Sequence, residues 1–571
     1  MPRADRVELA HRLRGVTAPT AIPPPADEQP GERRPFWVVQ TEPPRAFQVN
    51  ATLRVTSPHA LMYVQDDLRI SDADMDAAAR EFETVVYPSV TGWFGGPALS
   101  GGETAPRITI LHLRLPNVAG YFTALDQLPK AIAPISNERR MIYVDISGGP
   151  PGSAAYRGLV AHEFQHLLHQ DRSPYADTWL NEGLSDLVAE LVGGAGSSLR
   201  AYANNPDTQL TTWPVGSTAA HYGAAHSFLR YVLRHYGGIE RAGDLVARGG
   251  RGVNAVDGYL RDGGWGVGFD DVFADWLVAS YLNLTDGPYA NPGEDARVRS
   301  VTRLATPRRG DATVNQFGAD YFEIEPGRRG RSFSFQGASS VSLTPNPPAG
   351  GQGQWWSNRG DSLNATLTRA LDLRGVTTAT LRFKTWYDIE RGWDFAYVLV
   401  STDDGATWTV LRGQRSSDFD PLSQGYGPAY TGRSGEGAAG WQDEQIDLGA
   451  LAGQRVLLRF QYITDEAAAA PGFMLDDIAV PEIGFFDDAE GESDWTADGF
   501  RRVTAPVVQR YLLQVATEAG GVWSVRRVEA GQDGSASIPI PADVERAVVI
   551  VAGVTHDAYL PAAYRWALEE R

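Results

Sequence analysis

The 571-residue sequence predicts a multidomain α+β chain, with one mixed strand-and-helix domain followed by all-β sandwich modules. Three observations carry that expectation. The chain is several times longer than one core supports, at roughly 100 to 200 residues per domain. Its first half passes from strand patterns into long helical ones. After residue 300 helix signals nearly vanish, and short apolar runs recur between Gly, Asp and Ser clusters, the spacing of an antiparallel sandwich.

Residues 16–45, "VTAPTAIPPPADEQPGERRPFWVVQTEPPR", are rich in Pro and charge, so 1–45 is expected to be an extended arm or linker. Residues 46–295 make up the α+β domain. Within it "FQVNATLRVTS" and "ALMYVQDD" read as strands, 72–86 as an amphipathic helix, and "RITILHLRL" (107–115) and "RMIYVDIS" (140–147) as strands. Helices are expected over 154–169, 178–191 and about 219–235. In the β-rich half, "TPNPPAGGQGQ" (344–354) and "FFDDAEGESD" (485–494) separate 300–345, 350–490 and 500–571. The first and last of these carry little core of their own; they either pair with each other or form two small modules.

Composition narrows the chemistry. A formal net charge of -19 argues against a nucleic-acid partner, which needs a basic face. With no cysteine, any metal must be held by His and carboxylates. The longest apolar run, Ala547 to Val554, has the length of a buried strand and not of a membrane span. The N-terminal "MPRADRVELAHRLRG" lacks the apolar centre of a secretory signal, so the protein is either intracellular or its signal precedes this numbering.

The segment "AHEFQHLLHQ" (161–170) carries the first candidate site. Residues four apart on a helix share a face roughly 6 Å apart along it, so His162 and His166 can offer imidazoles to one ion. Glu163 lies beside them, placed to take a proton from water activated by that ion. On the next helix, "TWLNEGLSDLVAEL" (178–191), Glu182 can complete a His, His, Glu set and leave a position open. Asp186, one turn further, can accept from the second nitrogen of a ligand histidine. His169 could be mistaken for a third ligand; the plainer reading is a polar residue near the helix C-terminus.

"HEFQH" followed by "NEGLSD" resembles the two metal-binding helices of the gluzincin metallopeptidases, thermolysin-like enzymes in particular. That resemblance implies a zincin-like fold for the N-terminal domain, zinc held by His162, His166 and Glu182, Glu163 as general base, and Asp186 orienting a histidine. The metzincin pattern requires Gly at the place of His169 and His at the place of Arg172, and fails at both. "HYGAAHSFLRYVLRHYGG" (221–238) is similar to the aminopeptidase-like segment in which Tyr222 would support an oxyanion. His221 and His226 are alternatives, and a packed tyrosine is the other reading. No Gly-x-Met-Glu-Asn segment precedes His162, which favours endopeptidase over exopeptidase. "VAGYFTAL" (118–125) is the candidate edge strand for binding a substrate backbone.

"WWSNRGDSLNATLTRALDLRG" (355–375), "WYDIERGWDFAYVLVSTDDGATWTVL" (386–411) and "GFMLDDIAVPEIGF" (472–485) resemble the C-terminal sandwich (jelly-roll or MAM-like) of immune inhibitor A, a secreted bacterial metallopeptidase family. The resemblance implies secretion, a bacterial source and protein or peptide substrates. That family looks metzincin-like in its catalytic half, so this chain looks composite. Glu390, Asp394, Asp476 and Asp477 are candidate ligands for a structural Ca²⁺, while Asp403 and Asp404 suit a hairpin turn. The "RGD" at 359–361 is read as a chance tripeptide. The expectation is a secreted zinc endopeptidase with no membrane span; oligomeric state is not legible. The alternative is a surface or matrix binding protein on an inert zincin scaffold, with Trp355, Trp356, Trp386, Trp393 and Trp408 stacking on glycan.

Overall fold

A computed structural model describes residues 1–571 except 18–21, 23–26, 98–106, 195–197, 248–250 and 294. The chain divides into two compact units: Met1–Asn181, Val188–Ala195 and Pro347–Thr504 in the first, and Glu182–Leu187, Gly196–Asn346 and Ala505–Arg571 in the second.

The first unit holds a six-stranded sheet. Its strands are β1 (Arg33–Gln40), β2 (Arg45–Thr56), β3 (Ala60–Gln65), β4 (Ile108–Leu113), β5 (Gly120–Tyr121) and β6 (Met141–Asp145), in the order β1-β2-β3-β4-β6-β5. β3, β4 and β6 run parallel, and every residue of β4 and β6 is buried, as a strand covered on both faces requires. β5 closes one edge antiparallel to β6, with Tyr121 opposite Tyr143. Helices α2 (Asp72–Glu81), α3 (Tyr87–Phe94) and α4 (Ala154–Arg172) belong to this unit. Helix α5 (Thr178–Gly193) begins and ends in it.

The expected N-terminal arm is corrected in part; most of 18–26 lies outside the described residues. Arg33–Gln40 is a strand paired along its whole length with β2, because Phe36 and Val38 alternate into the core. Pro35 is tolerated since β1 is an edge strand and needs no second ladder of amides. Arg6–Arg14 is a helix, α1, whose first amides at Val7 and Glu8 donate to the Asp5 side chain and whose end is closed by Gly15 at φ 66°.

The same unit contains a β-sandwich. One sheet runs Gln442–Asp447, Thr380–Asp388, Gly472–Val480, Gln354–Trp356, Arg501–Val503; the other runs Thr409–Leu411, Phe395–Ser401, Arg455–Ile463, Asn364–Asp372, Thr496–Asp498. Leu367, Leu381, Phe383, Val398, Phe460, Phe473 and Leu475 fill the space between them. The outer side chains of the second sheet, Phe395, Tyr397 and Leu399, are covered by Leu9 of α1. Trp355, Trp356, Trp386 and Trp408 are all buried. These four are core residues, the commoner fate of tryptophans in such a module, and only Trp393 of the five is half-buried.

In the second unit α6 (Ser198–Asn204) and α7 (Ala219–His235) pack so closely that a Cβ on Gly223 would lie 2.1 Å from the Ser198 carbonyl oxygen. Strands between 302 and 341 pair with strands between 507 and 570: Arg308–Val314 with Ala562–Glu570, Arg331–Gly337 with Ser535–Ile540, and Ala319–Ile324 with Arg546–Gly553. Neither segment has a core alone; together they enclose Phe322, Phe333, Val549 and Trp566.

Asp207 is buried in this unit, where its carboxylate accepts from the Asn315 amide (2.7 Å). Burial, with the neighbouring Asp320 charge, pushes it up to about 7. A carboxyl whose folded value exceeds its unfolded value of about 3.9 stabilises below that value and loses the contribution as pH rises toward 7. Asp207→Asn keeps the acceptor, so its melting temperature is expected to fall less than that of the parent between pH 4 and pH 8. Parallel curves would remove Asp207 as the cause.

Candidate metal centre

Helix α4 starts where Ser153 accepts from the Tyr156 amide, and its phase places His162 and His166 on one face. Their rings lie 4.7 Å apart, nearly perpendicular at 79°. One ligand atom each from His162, His166 and Glu182 falls within 4.8 Å of the others. His166 Nδ1 lies 3.0 Å from Asn181 Oδ1, a bond made by the tautomer that leaves Nε2 unprotonated and open to an ion. Two imidazoles and a carboxylate, one ring already held in the ligating tautomer, fit a divalent ion of the zinc type. Asn181 escaped the sequence reading, although it stands beside Glu182 in the same "NEG" triplet.

Glu163 is buried under the sheet edge. A Cβ on Gly120 would sit 2.8 Å from Glu163 Oε1 and 2.7 Å from the Tyr143 carbonyl oxygen, so only glycine lets β5 lie over the carboxylate. Tyr121 stacks on Tyr143 at 4.0 Å and accepts from the Val39 amide (3.0 Å). The expected edge segment 118–125 thus supplies strand β5, placed directly against Glu163.

His169 is not among the clustered ligands. It stands in the last turn of α4, as expected, but is buried at 1% exposed, and burial pushes its imidazole down to about 3. Its Nδ1 accepts from Gln165 Nε2 (3.3 Å). Asp186 accepts from Ser198 Oγ (2.8 Å). On α7, Tyr222 and His221 are half-buried, and the Trp213 ring meets Tyr222 edge-on at 4.7 Å. Burial pushes His221 down to about 4. His226 is fully buried.

The expected calcium set is divided. Glu390 and Asp394 gather with Asp465, within 4.8 Å. Asp476 lies apart, accepting from the Ala349 and Gly350 amides (2.9 and 3.1 Å). Asp477, beside it, has a left-handed backbone at φ 49°. Burial, with the neighbouring Asp465 charge, pushes Glu390 up to about 11 and raises Asp394, and burial, with the neighbouring Glu466 charge, pushes Asp465 up to about 8. Asp465 directly follows the strand Arg455–Ile463 and Thr464, and Ile463 pairs with Phe395, so register carries it to Asp394.

Comparison with known proteins bears on the sandwich. Residues 338–505 match the family described as Immune inhibitor A-like, MAM domain. Pre-pro-metalloprotease PrtV of Vibrio cholerae serotype O1 (strain M66-2) is 38% identical over 158 residues, 27% of this chain and 16% of that protein. Immune inhibitor A of Bacillus thuringiensis subsp. alesti is 35% identical over 158 residues, 27% of this chain and 21% of that one. Bacillopeptidase F of Bacillus subtilis (strain 168) is 29% identical over 105 residues, 18% and 6% of the two chains. The chain therefore spans about a fifth or less of the relatives it matches. The C-terminal half contains an immune inhibitor A-like MAM domain.

Replacing Asn181 by Ala frees the His166 ring to rotate and change tautomer. Metal affinity is expected to fall by about 10- to 100-fold, read by competition with a chromophoric chelator. An unchanged affinity would show that the ring is oriented by something else.

Proposed function

We propose that this chain is an exported bacterial zinc endopeptidase of the gluzincin type. The observation that carries the reading is the convergence of His162, His166 and Glu182, with Glu163 one residue from the first ligand. A purely structural metal site has no use for that carboxylate. The matched relatives named metalloproteases support the class, through the sandwich alone.

Zinc, when bound, supplies Lewis acidity that makes a water nucleophilic at neutral pH and polarises a substrate carbonyl. Glu163 takes the proton from the attacking water and hands it to the leaving amine. Its burial under Gly120 keeps bulk water from competing for that proton. β5, two residues long and paired on one side with β6, offers its other side to an extended substrate backbone. Asp186 orients a ligand histidine, and Tyr222, or His221 beside it, donates to the developing oxyanion. The glycan-binding alternative has lost most of its aromatic platform to the core.

We extend the proposal to a structural Ca²⁺ held by Glu390, Asp394 and Asp465, three acidic oxygen donors of the type such an ion takes.

Casein cleavage should be abolished by a chelator of zinc and restored by the metal. Glu163→Gln should lower turnover by at least about 10³-fold at full zinc content. Full activity in that variant would remove Glu163 from the mechanism, and wild-type protein with zinc bound but inert on casein and peptides would overturn the peptidase reading.

Calcium at about a hundredfold over its dissociation constant should raise the melting temperature by roughly 5–10 °C. Asp465→Asn should abolish that response and, by relieving repulsion, melt higher than the parent in chelator. A calcium response that survives in Asp465→Asn would place the ion elsewhere.

A further inference from the structure

We propose that the β-sandwich supplies a positioning residue to the metal centre: Asp361 caps the first turn of α5 and thereby fixes Asn181 and Glu182 along the helix axis. The inference rests on the zinc reading for its functional consequence.

The first four amides of a helix have no partner within it. The residue before α5, Asp177, gives no side-chain capping bond. The acceptor comes instead from 183 positions away, where Asp361 Oδ2 takes the Thr178 amide at 2.8 Å and the Thr178 hydroxyl at 2.6 Å. The Glu466 carbonyl oxygen lies 3.0 Å from the same hydroxyl. Asp361 is 7% exposed. A carboxyl oxygen at this end also meets the positive pole of the helix. The "RGD" tripeptide is therefore an internal structural loop and has no free carboxylate to present.

The loop that carries Asp361 is held on both flanks. Leu363 donates to Thr464 Oγ1 (2.8 Å), Thr464 Oγ1 donates to the Gly360 carbonyl (2.7 Å), and Ala4 donates to the Ser362 carbonyl (2.9 Å). Ser362 is kept at φ 49°, a left-handed conformation that a serine adopts only when its surroundings impose it. A fixed loop makes a fixed cap. Thr178 and Glu182 are one turn apart, about 6 Å along the axis. The other end of α5 is tied to α4, where Arg157 Nε donates to the Val192 carbonyl (2.8 Å). A helix held at both ends cannot slide, whereas one released at Thr178 can drift by fractions of an ångström, and metal ligands tolerate only about 0.2 Å. Asp361 touches neither metal nor substrate in this scheme.

The test uses the full chain as wild type, Asp361→Ala, Asp361→Asn and Thr178→Val. Zinc affinity is read by competition with a chromophoric chelator. Amide exchange over 178–182 is read in the zinc-free protein. Asp361→Ala is expected to weaken zinc by about 10- to 100-fold and to speed exchange in the first turn of α5. Asp361→Asn, which keeps an acceptor, should recover most of both, and Thr178→Val should fall between. If Asp361→Ala does not fold, the other two variants carry the same comparison. Lowered thermal stability with zinc affinity within twofold of the parent would overturn the proposal, as would unchanged exchange over 178–182. Wild-type protein that binds no zinc would defeat the metal-centre reading separately, and the exchange result would still decide whether Asp361 anchors α5.

Discussion

Helices α4 and α5 meet backbone to backbone, and the candidate metal centre depends on that approach. A Cβ on Gly193 would lie 2.4 Å from the Gly158 Cα and 2.5 Å from the Ala154 carbonyl oxygen, so α5 can carry no side chain there, and one on Gly158 would be crowded at 3.2 Å from the Ala189 carbonyl oxygen. Ordinary helix pairs stand 8–10 Å apart because side chains fill the space between them. Removing the side chains at this contact lets a glutamate on one helix come within 4.8 Å of imidazoles on the other. A second face of α5 repeats the device. A Cβ on Gly183 would fall 2.8 Å from the Ala225 carbonyl carbon and 2.7 Å from Leu229 Cδ1, which draws α7 against the helix one residue beyond Glu182. α5 is thus positioned by what it lacks at two sites and by hydrogen bonds at its ends.

The two carboxylate sites obey different physics. Around Glu163, burial is achieved by omission: Gly120 has no side chain, and the strand backbone closes over the acid. At Glu390, Asp394 and Asp465, three acids are brought together and burial raises the cost of charging each. Without a cation the second arrangement is destabilising near neutral pH. Some of that repulsion is relieved by the Asp465 amide and the Tyr462 hydroxyl, which both donate to Asp394, but neither carries positive charge.

Helical spacing made the α4 face legible, since four-residue periodicity is local and the two imidazoles need nothing else to align. The parallel strands β4 and β6 were equally legible as short apolar runs. What escaped was set by register and by distance along the chain. Asp465 joins Glu390 and Asp394 because Ile463 pairs with Phe395, a relation that no local pattern encodes. Asp361 meets Thr178 across a still longer separation. β1 was hidden for the opposite reason: its proline and charges speak locally against a strand, and only the tertiary burial of Phe36 and Val38 overrides them.

The sandwich is the part that the relatives share, and by itself such a module would suit attachment to substrate or surface. Its aromatic residues argue otherwise, because most of the tryptophans lie inside it. Its outer sheet face is occupied by the chain's own α1, through Leu9 on Phe395, Tyr397 and Leu399. Arg6 of that helix faces Glu466 at 3.4 Å, next to the carbonyl that approaches Thr178. The loop around Asp361 therefore ties the sandwich to the first turn of α5 within one unit, and α1 is fastened to that sandwich. Under the proposals above, a module so connected is part of the framework around the candidate metal centre, through the cap that Asp361 places on α5.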